Sequence, residues 1–302
     1  MYSIGVDIGG SHITSCMYEH SNNKLNSKTL VHSKVDTKAS KEEILKIWIY
    51  TISKTIELAQ VPIKGVGLAM PGPFDYFEGI SLISKVDKFE SLYRVNIRLE
   101  LAKSLHIEPS EIRFINDATA FSITEALIGQ ATNHKRSIAI TLGTGFGSSF
   151  LVNGQPIMDG KNVPQGGFLY DKWHEGHLAD DLFSTRGIIK KYKELSGREV
   201  MNVKELYERS ARDRNAKKVF QCFGTELGKF LKPYIVDFES SIIVLGGNIA
   251  KAFAHFEEEL LLELPEVKVC VSNFGEEAAI IGSALLLDDI YYEDLKPCLK
   301  LM

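Results

Sequence analysis

At 302 residues, 44% apolar and 25% charged, the chain has the make-up of a soluble globular protein with room for two domains. A formal net charge of −4 argues against a general nucleic-acid surface, and the longest apolar run, residues 278–287, is too short to span a bilayer. Cys16, Cys222, Cys270 and Cys298 show no paired spacing, which leaves no sequence case for a zinc knuckle or a disulfide framework; a reduced cytoplasmic setting without an export signal is expected.

In chain order, Tyr2–Asp7 and Ile13–Tyr18 read as a strand hairpin around Gly9-Gly10-Ser11, with a third strand near Lys28–Val35. Ser40 and Glu43 form a capping-box pattern, and Ile44, Ile47, Trp48, Ile52, Ile56 and Ala59 follow at helical spacing until Pro62 breaks it. Gly65–Met70 reads as a buried strand entering the stiff turn Pro71-Gly72-Pro73. Residues 76–98 look irregular, and a helix is expected near residues 99–105. Arg113–Asp117 is a short strand carrying Asn116 and Asp117 at its carboxyl end, before a helix over 118–127.

The second half repeats the plan. Residues 137–152 are two apolar runs joined by a turn with Gly143, Gly145 and Gly147, followed by a loop-rich region over 153–176. Helices are expected near 178–196, 203–212 and 216–231. The strand 241–246 then leads through Gly246-Gly247-Asn248 into a helix start. A strand over 267–271 precedes a packed helix over 278–287, in which Gly282 and Ser283 are close-approach positions.

Glycine leaves no Cβ in the way and tolerates positive φ, so each glycine turn can aim several backbone N–H groups at one phosphate. Two such hairpins suggest two lobes facing one nucleotide. Asp7, on the strand before the first turn, is either a hairpin aspartate or a carboxylate near a nucleotide-bound Mg²⁺, reached through water. Ser11 and Thr144 could add hydroxyl donors to the phosphates, and Gly246-Gly247-Asn248 could meet the adenosine. Asp117, at a strand-to-helix junction, suits both a helix N-cap and the general base that phosphoryl transfer to an alcohol requires. His174 and His177, near Asp171 and Asp180, read as a polar or sugar-facing loop in preference to a metal site.

Val6-Asp-Ile-Gly-Gly-Ser11, Met70-Pro-Gly-Pro-Phe-Asp75, Ile115-Asn-Asp-Ala118, Leu142-Gly-Thr-Gly-Phe-Gly147, Val244-Leu-Gly-Gly-Asn248 and Ile281-Gly-Ser-Ala284 together resemble the ordered signatures of the ROK sugar kinases. The resemblance implies an α/β protein of two ribonuclease-H-like lobes around a central cleft, as in the actin-like ATPases. It implies an ATP-dependent kinase of a hexose or related sugar, with Mg²⁺ accompanying the ATP. By matching position Asp117 would be the base, Gly72 and Asn116 would contact the sugar, and Gly9-Gly10 and Gly143-Thr144-Gly145 would hold phosphates. The lobes would cover residues 1–117, joined by a C-terminal helix at 288–302, and residues 118–287. Family members are often dimers, so a homodimer is expected by analogy.

Two departures stand out. The family's Gly-Glu-x-Gly-His stretch and cysteine-rich zinc loop are matched only by Gly167-Phe-Leu-Tyr-Asp171 with no cysteines after it, so zinc is expected to be absent. Leu178–Arg186 resembles the next family helix, which puts Asp180 where a sugar-binding glutamate stands; another register puts His174 and His177 at the family's Glu and His. An alternative to the kinase is a non-catalytic sugar-binding or regulatory member. Those regulators carry a DNA-binding domain ahead of the first phosphate strand, where this chain shows no room for one, and Asp7, Asp117 and both glycine hairpins favour an enzyme.

Overall fold

Alternating apolar and small residues over Tyr2–Ile8 (β1) and His12–Glu19 (β2) pair antiparallel, with Ile8 opposite Ile13 across the Gly9–Ser11 turn. The protein is seen in a computed structural model that describes all 302 residues. Two short strands, Lys24–Leu25 (β3) and Val31–Lys34 (β4), pair with β2, where the sequence predicted one strand from residue 28. A 3₁₀ turn over Ser27–Thr29 separates them because the Asn26 side chain accepts from Lys28 N–H and Thr29 Oγ1 donates to Asn26 C=O.

The helix Lys41–Ala59 (α1) starts at the predicted capping box and buries Ile44, Trp48 and Ile52. Val66–Met70 (β5), buried throughout, pairs parallel to β1. A small hairpin, Phe74–Asp75 (β6) with Ile80–Ser81 (β7), enters the stretch 76–98 that was read as irregular, and Ile97–Leu105 (α2) follows. Ile112–Asn116 (β8) pairs parallel to β5 and runs straight into Asp117–Leu127 (α3). The sheet order is β3-β2-β1-β5-β8, with β4 also on β2.

The second unit is built on Arg136–Leu142 (β9) and Phe146–Val152 (β10), an antiparallel hairpin extended by Gln155–Pro156 (β11). Trp173–His174 (β12) and His177–Leu178 (β13) form a two-residue ladder. The predicted helix over 178–196 is two helices, Ala179–Phe183 (α4) and Thr185–Ser196 (α5). They part at Ser184 because Thr185 N–H and Oγ1 both donate to the Gly143 carbonyl, at 2.8 and 3.0 Å, leaving Ser184 extended.

Val203–Ser210 (α6) and Arg214–Phe238 (α7) follow. At 25 residues α7 outruns the predicted 216–231, with Val219, Phe220, Phe223, Leu227, Phe230 and Leu231 on its buried face. Ile242–Gly246 (β14), Glu257–Glu263 (α8) and Lys268–Val271 (β15) complete a sheet of order β11-β10-β9-β14-β15.

The chain then returns to the first unit with Glu277–Leu285 (α9) and Asp289–Leu299 (α10). A Cβ on Gly5 would lie 2.0 Å from Ile280 O, and one on Gly67 1.8 Å from Ser283 O, so α9 rests directly on β1 and β5. Gly282 meets Ala120 of α3 equally closely, and Ser283 Oγ accepts from Val6 N–H at 3.0 Å. This packing corrects the expected limits. The first unit is residues 1–124 with 276–302, and the second is 125–275, so most of α3 and all of α9 belong with the first sheet.

Candidate active site

Parallel pairing decides which residues of the first unit meet. Asp7 lies in register with Ala69, and Met70 with Asn116, so Asp7, the Met70–Gly72 turn and Asn116-Asp117 stand together at the carboxyl ends of β1, β5 and β8. Tyr76 links two of them. Its hydroxyl donates to Met70 C=O at 3.1 Å, accepts from Asn116 Nδ2 at 3.3 Å, and lies 3.3 Å from where a Gly72 Cβ would be.

Asn116 also caps α3, its Oδ1 accepting from Thr119 N–H at 3.2 Å. The N-cap role read as an option for Asp117 is thus carried by its neighbour. Asp117 Oδ1 accepts from the adjacent Ala118 N–H at 2.9 Å, and the residue is exposed. Protein mass around that carboxylate desolvates it and raises its pKa, against the opposing pull of the Ala118 N–H and the Lys88 ammonium. Asp7 is pushed up to about 7, by burial first and then by the negative charges of Asp117 and Glu276. A buried carboxylate with the charges of Asp117 and Glu276 beside it is one that a hard cation would relieve. Asp7 therefore fits a place facing Mg²⁺.

The glycines of the two turns serve by the space they leave. Gly9, Gly10, Gly143, Gly145 and Gly147 all have negative φ, which corrects the expectation that left-handed backbone is what glycine supplies here. Nothing lies within 4 Å of where a Cβ on Gly10 or Gly143 would stand, and Gly10, Ser11 and Thr144 are exposed. Gly147 lies in β10 opposite Thr141. Only Gly247 needs positive φ, 83°, and its Cβ would come 2.3 Å from Leu142 O, so the Gly246-Gly247-Asn248 turn lies against the root of the Gly143–Gly145 turn. Asn248 Oδ1 accepts from Lys251 Nζ at 2.6 Å.

Asp180, expected at the sugar, has protein partners on both carboxylate oxygens. Its Oδ1 accepts from Phe146 N–H at 2.8 Å and stands 3.2 Å from the Cβ position of Gly145, while its Oδ2 takes Arg186 Nη2 at 2.5 Å. The carboxylate braces the glycine turn from below, with Thr185 holding the Gly143 carbonyl on the other side. Thr185 and Tyr76 were missed by sequence reasoning, since their partners Gly143 and Asn116 lie 42 and 40 positions away; Arg186, whose partner Asp180 is only 6 positions off, was read as part of a motif and given no role.

The remaining expected sugar residues scatter. Asp171 is exposed and pairs with Lys172 at 2.8 Å. His174 Nε2 lies 3.0 Å from Glu226 Oε2, its ring against Phe183 and Phe230. With His177 it lines a groove of about 680 Å³ within the second unit, beside Arg186, Cys222 and Phe223. No group of three or more His, Cys, Asp or Glu side chains is arranged to hold a metal ion, and no helix is long and apolar enough to cross a membrane.

A family model described as the ROK family matches residues 3–290. An N-acetyl-D-glucosamine kinase of Mannheimia succiniciproducens is 28% identical over 93% of this chain and 98% of its own length. A ROK hexokinase from Thermus thermophilus superposes with a TM-score of 0.78 at 21% identity, covering 97% of this chain and all of that one. A ROK family glucokinase from Streptomyces griseus, solved with glucose and AMPPNP, gives a TM-score of 0.75 at 18% identity over 95% and 99% of the two chains. The fold is theirs, two α/β lobes of the actin-like ATPase type. With the family pattern running through residues 3–290 and one architecture shared along nearly the whole length, the chain belongs to the ROK family.

Proposed function

We propose that the protein is an ATP-dependent kinase that phosphorylates a hydroxyl of a hexose or related sugar, with Asp117 as general base. The observation that carries this reading is the state of Asp117. It stands at a strand end beside a separate capping residue, open to solvent on one side and desolvated on the others. A carboxylate so placed can accept a substrate hydroxyl proton with little competition from its own helix. Asn116, held by Tyr76, and the exposed Gly72 backbone stand at the same strand ends as Asp117, so both suit contacts to neighbouring sugar hydroxyls.

The Gly9-Gly10-Ser11 and Gly143-Thr144-Gly145 turns would take the phosphates, and the Gly246-Gly247-Asn248 turn the nucleoside. The relatives named as sugar kinases and the AMPPNP complex support this assignment. Mg²⁺, when bound, supplies positive charge to the transferring phosphoryl group; Asp7 would hold its water shell. Asp171, His174 and His177 stay outside the assignment: Asp171 pairs with Lys172, His174 with Glu226, and His177 lines the same groove as His174.

The test is a coupled ADP-release assay with Mg·ATP against glucose, mannose, fructose, N-acetylglucosamine and N-acetylmannosamine, run in parallel on Asp117→Asn. Sugar-dependent ADP release that the substitution removes is expected. ADP release that ignores the sugar, or that survives in Asp117→Asn, would refute the assignment.

A further inference from the structure

Beside the Gly9–Ser11 turn lies a set of basic groups that the proposed reaction leaves unused. β2 begins at His12 immediately after the turn, and β4 runs alongside with Lys34 opposite His12 and His32 opposite Thr14. Directly opposed residues share a face, so His12, Lys34, Thr14 and His32 form two cross-strand rows, with Cβ atoms roughly 5 Å apart within each row. The His12 and His32 rings stack at 5.2 Å and 28°, and Thr14 Oγ1 lies 2.9 Å from His32 Nδ1. Gly9 completes the seat. A Cβ there would come within 2.5 Å of the His12 ring, so the missing side chain is what lets the imidazole lie against the turn. His32 and Lys34 are exposed, and His12 is half-buried.

We infer that His12, His32 and Lys34 form an anion subsite that continues the Gly9–Ser11 turn and takes a chain of linked phosphates. The inference rests on reading that turn as phosphate-binding. Lys34 supplies a permanent charge; the two imidazoles supply charge on demand. Burial first, and then the neighbouring His32, hold the His12 imidazole below its ordinary value, while Glu276 at the start of α9 pulls the other way. Asp7, in the same cross-strand row as Thr14 and His32, is the other carboxylate on this face. A polyanion removes the mutual repulsion of two imidazolium rings. Phosphate binding and protonation should therefore each promote the other.

Calorimetric titration of the full chain with inorganic tripolyphosphate, without Mg²⁺ or sugar, tests this at about pH 6 and about pH 8. Wild type is expected to bind roughly tenfold more tightly at the lower pH than a His12→Gln/His32→Gln double variant, with the two converging to within about threefold at the higher pH. The double variant carries the ligand's own protonation as its baseline. Lys34→Gln should weaken binding by similar factors at both pH values. In NMR titrations, tripolyphosphate should raise the titration midpoints of both histidine rings. Equal pH dependence in wild type and double variant, or unmoved midpoints, would overturn the subsite.

A parallel titration with ATP separates the two sources of linked phosphates. The same proton-coupled gain with ATP assigns the subsite to the nucleotide, and a gain with tripolyphosphate alone assigns it to inorganic polyphosphate. The kinase reading fails separately. Absent sugar phosphorylation with proton-coupled binding intact removes the kinase, and sugar-dependent ATP turnover with flat binding removes the subsite.

Discussion

Asp7→Asn should make the protein more stable while disabling it. The folded pKa of Asp7, about 7, lies above its ordinary value of 3.8, so the fold disfavours the charged form. The sign is the reverse of that for a salt-bridged aspartate. Stability associated with this group is fully present below about pH 3.8 and is lost as pH rises to about 7. At 1.36 kcal/mol per pKa unit the loss amounts to about 4 kcal/mol above pH 7. An isosteric amide removes it. For a chain of this length melting as one transition, that corresponds to a Tm gain of roughly 6 °C at pH 8, shrinking to a third or so of that at pH 5. Thermal melts of both proteins in chelator at several pH values read the difference directly. Added Mg²⁺ should raise the wild-type Tm more than that of the variant. A Tm difference that is flat with pH, or an Asp7→Asn protein less stable than wild type at pH 8, would refute the reasoning.

Three further outcomes follow from the same geometry. Asp117→Asn should lower kcat by roughly 10²–10⁴-fold, the range for loss of a general base, while ATP and sugar affinities measured by titration stay within a few-fold. Gly67→Ala pushes a methyl into the Ser283 carbonyl of α9 and should cost about 1–3 kcal/mol or more in chemical denaturation, whereas Gly143→Ala, with empty space at its Cβ, should leave stability unchanged and raise the ATP KM. Asp180→Ala removes the acceptor of Phe146 N–H and should raise the ATP KM roughly tenfold with the sugar KM nearly constant; a sugar-binding Asp180 would give the opposite split in steady-state kinetics.

Local signals in the sequence carried a long way. The capping box at Ser40 and Glu43 forms as read, because its partners are three residues apart. Both glycine hairpins were visible as breaks between apolar runs, and Gly282-Ser283 was recognisable as a close-approach pair. What stayed hidden depends on distant partners. The break at Ser184 is set by a carbonyl at residue 143, and the brace at Asp180 by an amide at residue 146. Gly5 and Gly67 look like ordinary strand glycines until α9, over 200 residues later, is laid across them, and the lobe limits were misplaced for that reason. Residues 167–181 resisted assignment because family matching offered two registers and the residues offered no local geometry to choose between them. The structure adds the partners that the sequence could not show, tying Asp180 to a turn and His174 to Glu226.

The candidate site also shows how one strand end can serve stability and chemistry with different residues. A helix that begins at the carboxyl end of β8 needs an acceptor for its first N–H groups, and an aspartate there would ordinarily be consumed by that task. Asn116 takes it, through Thr119 N–H, and is itself fixed by Tyr76. Asp117 is left bonded to the adjacent Ala118 N–H, with its pKa raised by burial. Burial first, and then the charges of Asp117 and Glu276, raise the Asp7 pKa, so the fold carries a strain that changing Asp7 to its amide would release. In a protein built only for stability, that strain would have no reason to persist. Asp7, with Asp117 and Glu276 beside it, gathers that strain at the carboxyl ends of β1 and β8, and on the proposed kinase reading this edge of the sheet, rather than the groove beside His174, is where the chemistry is expected.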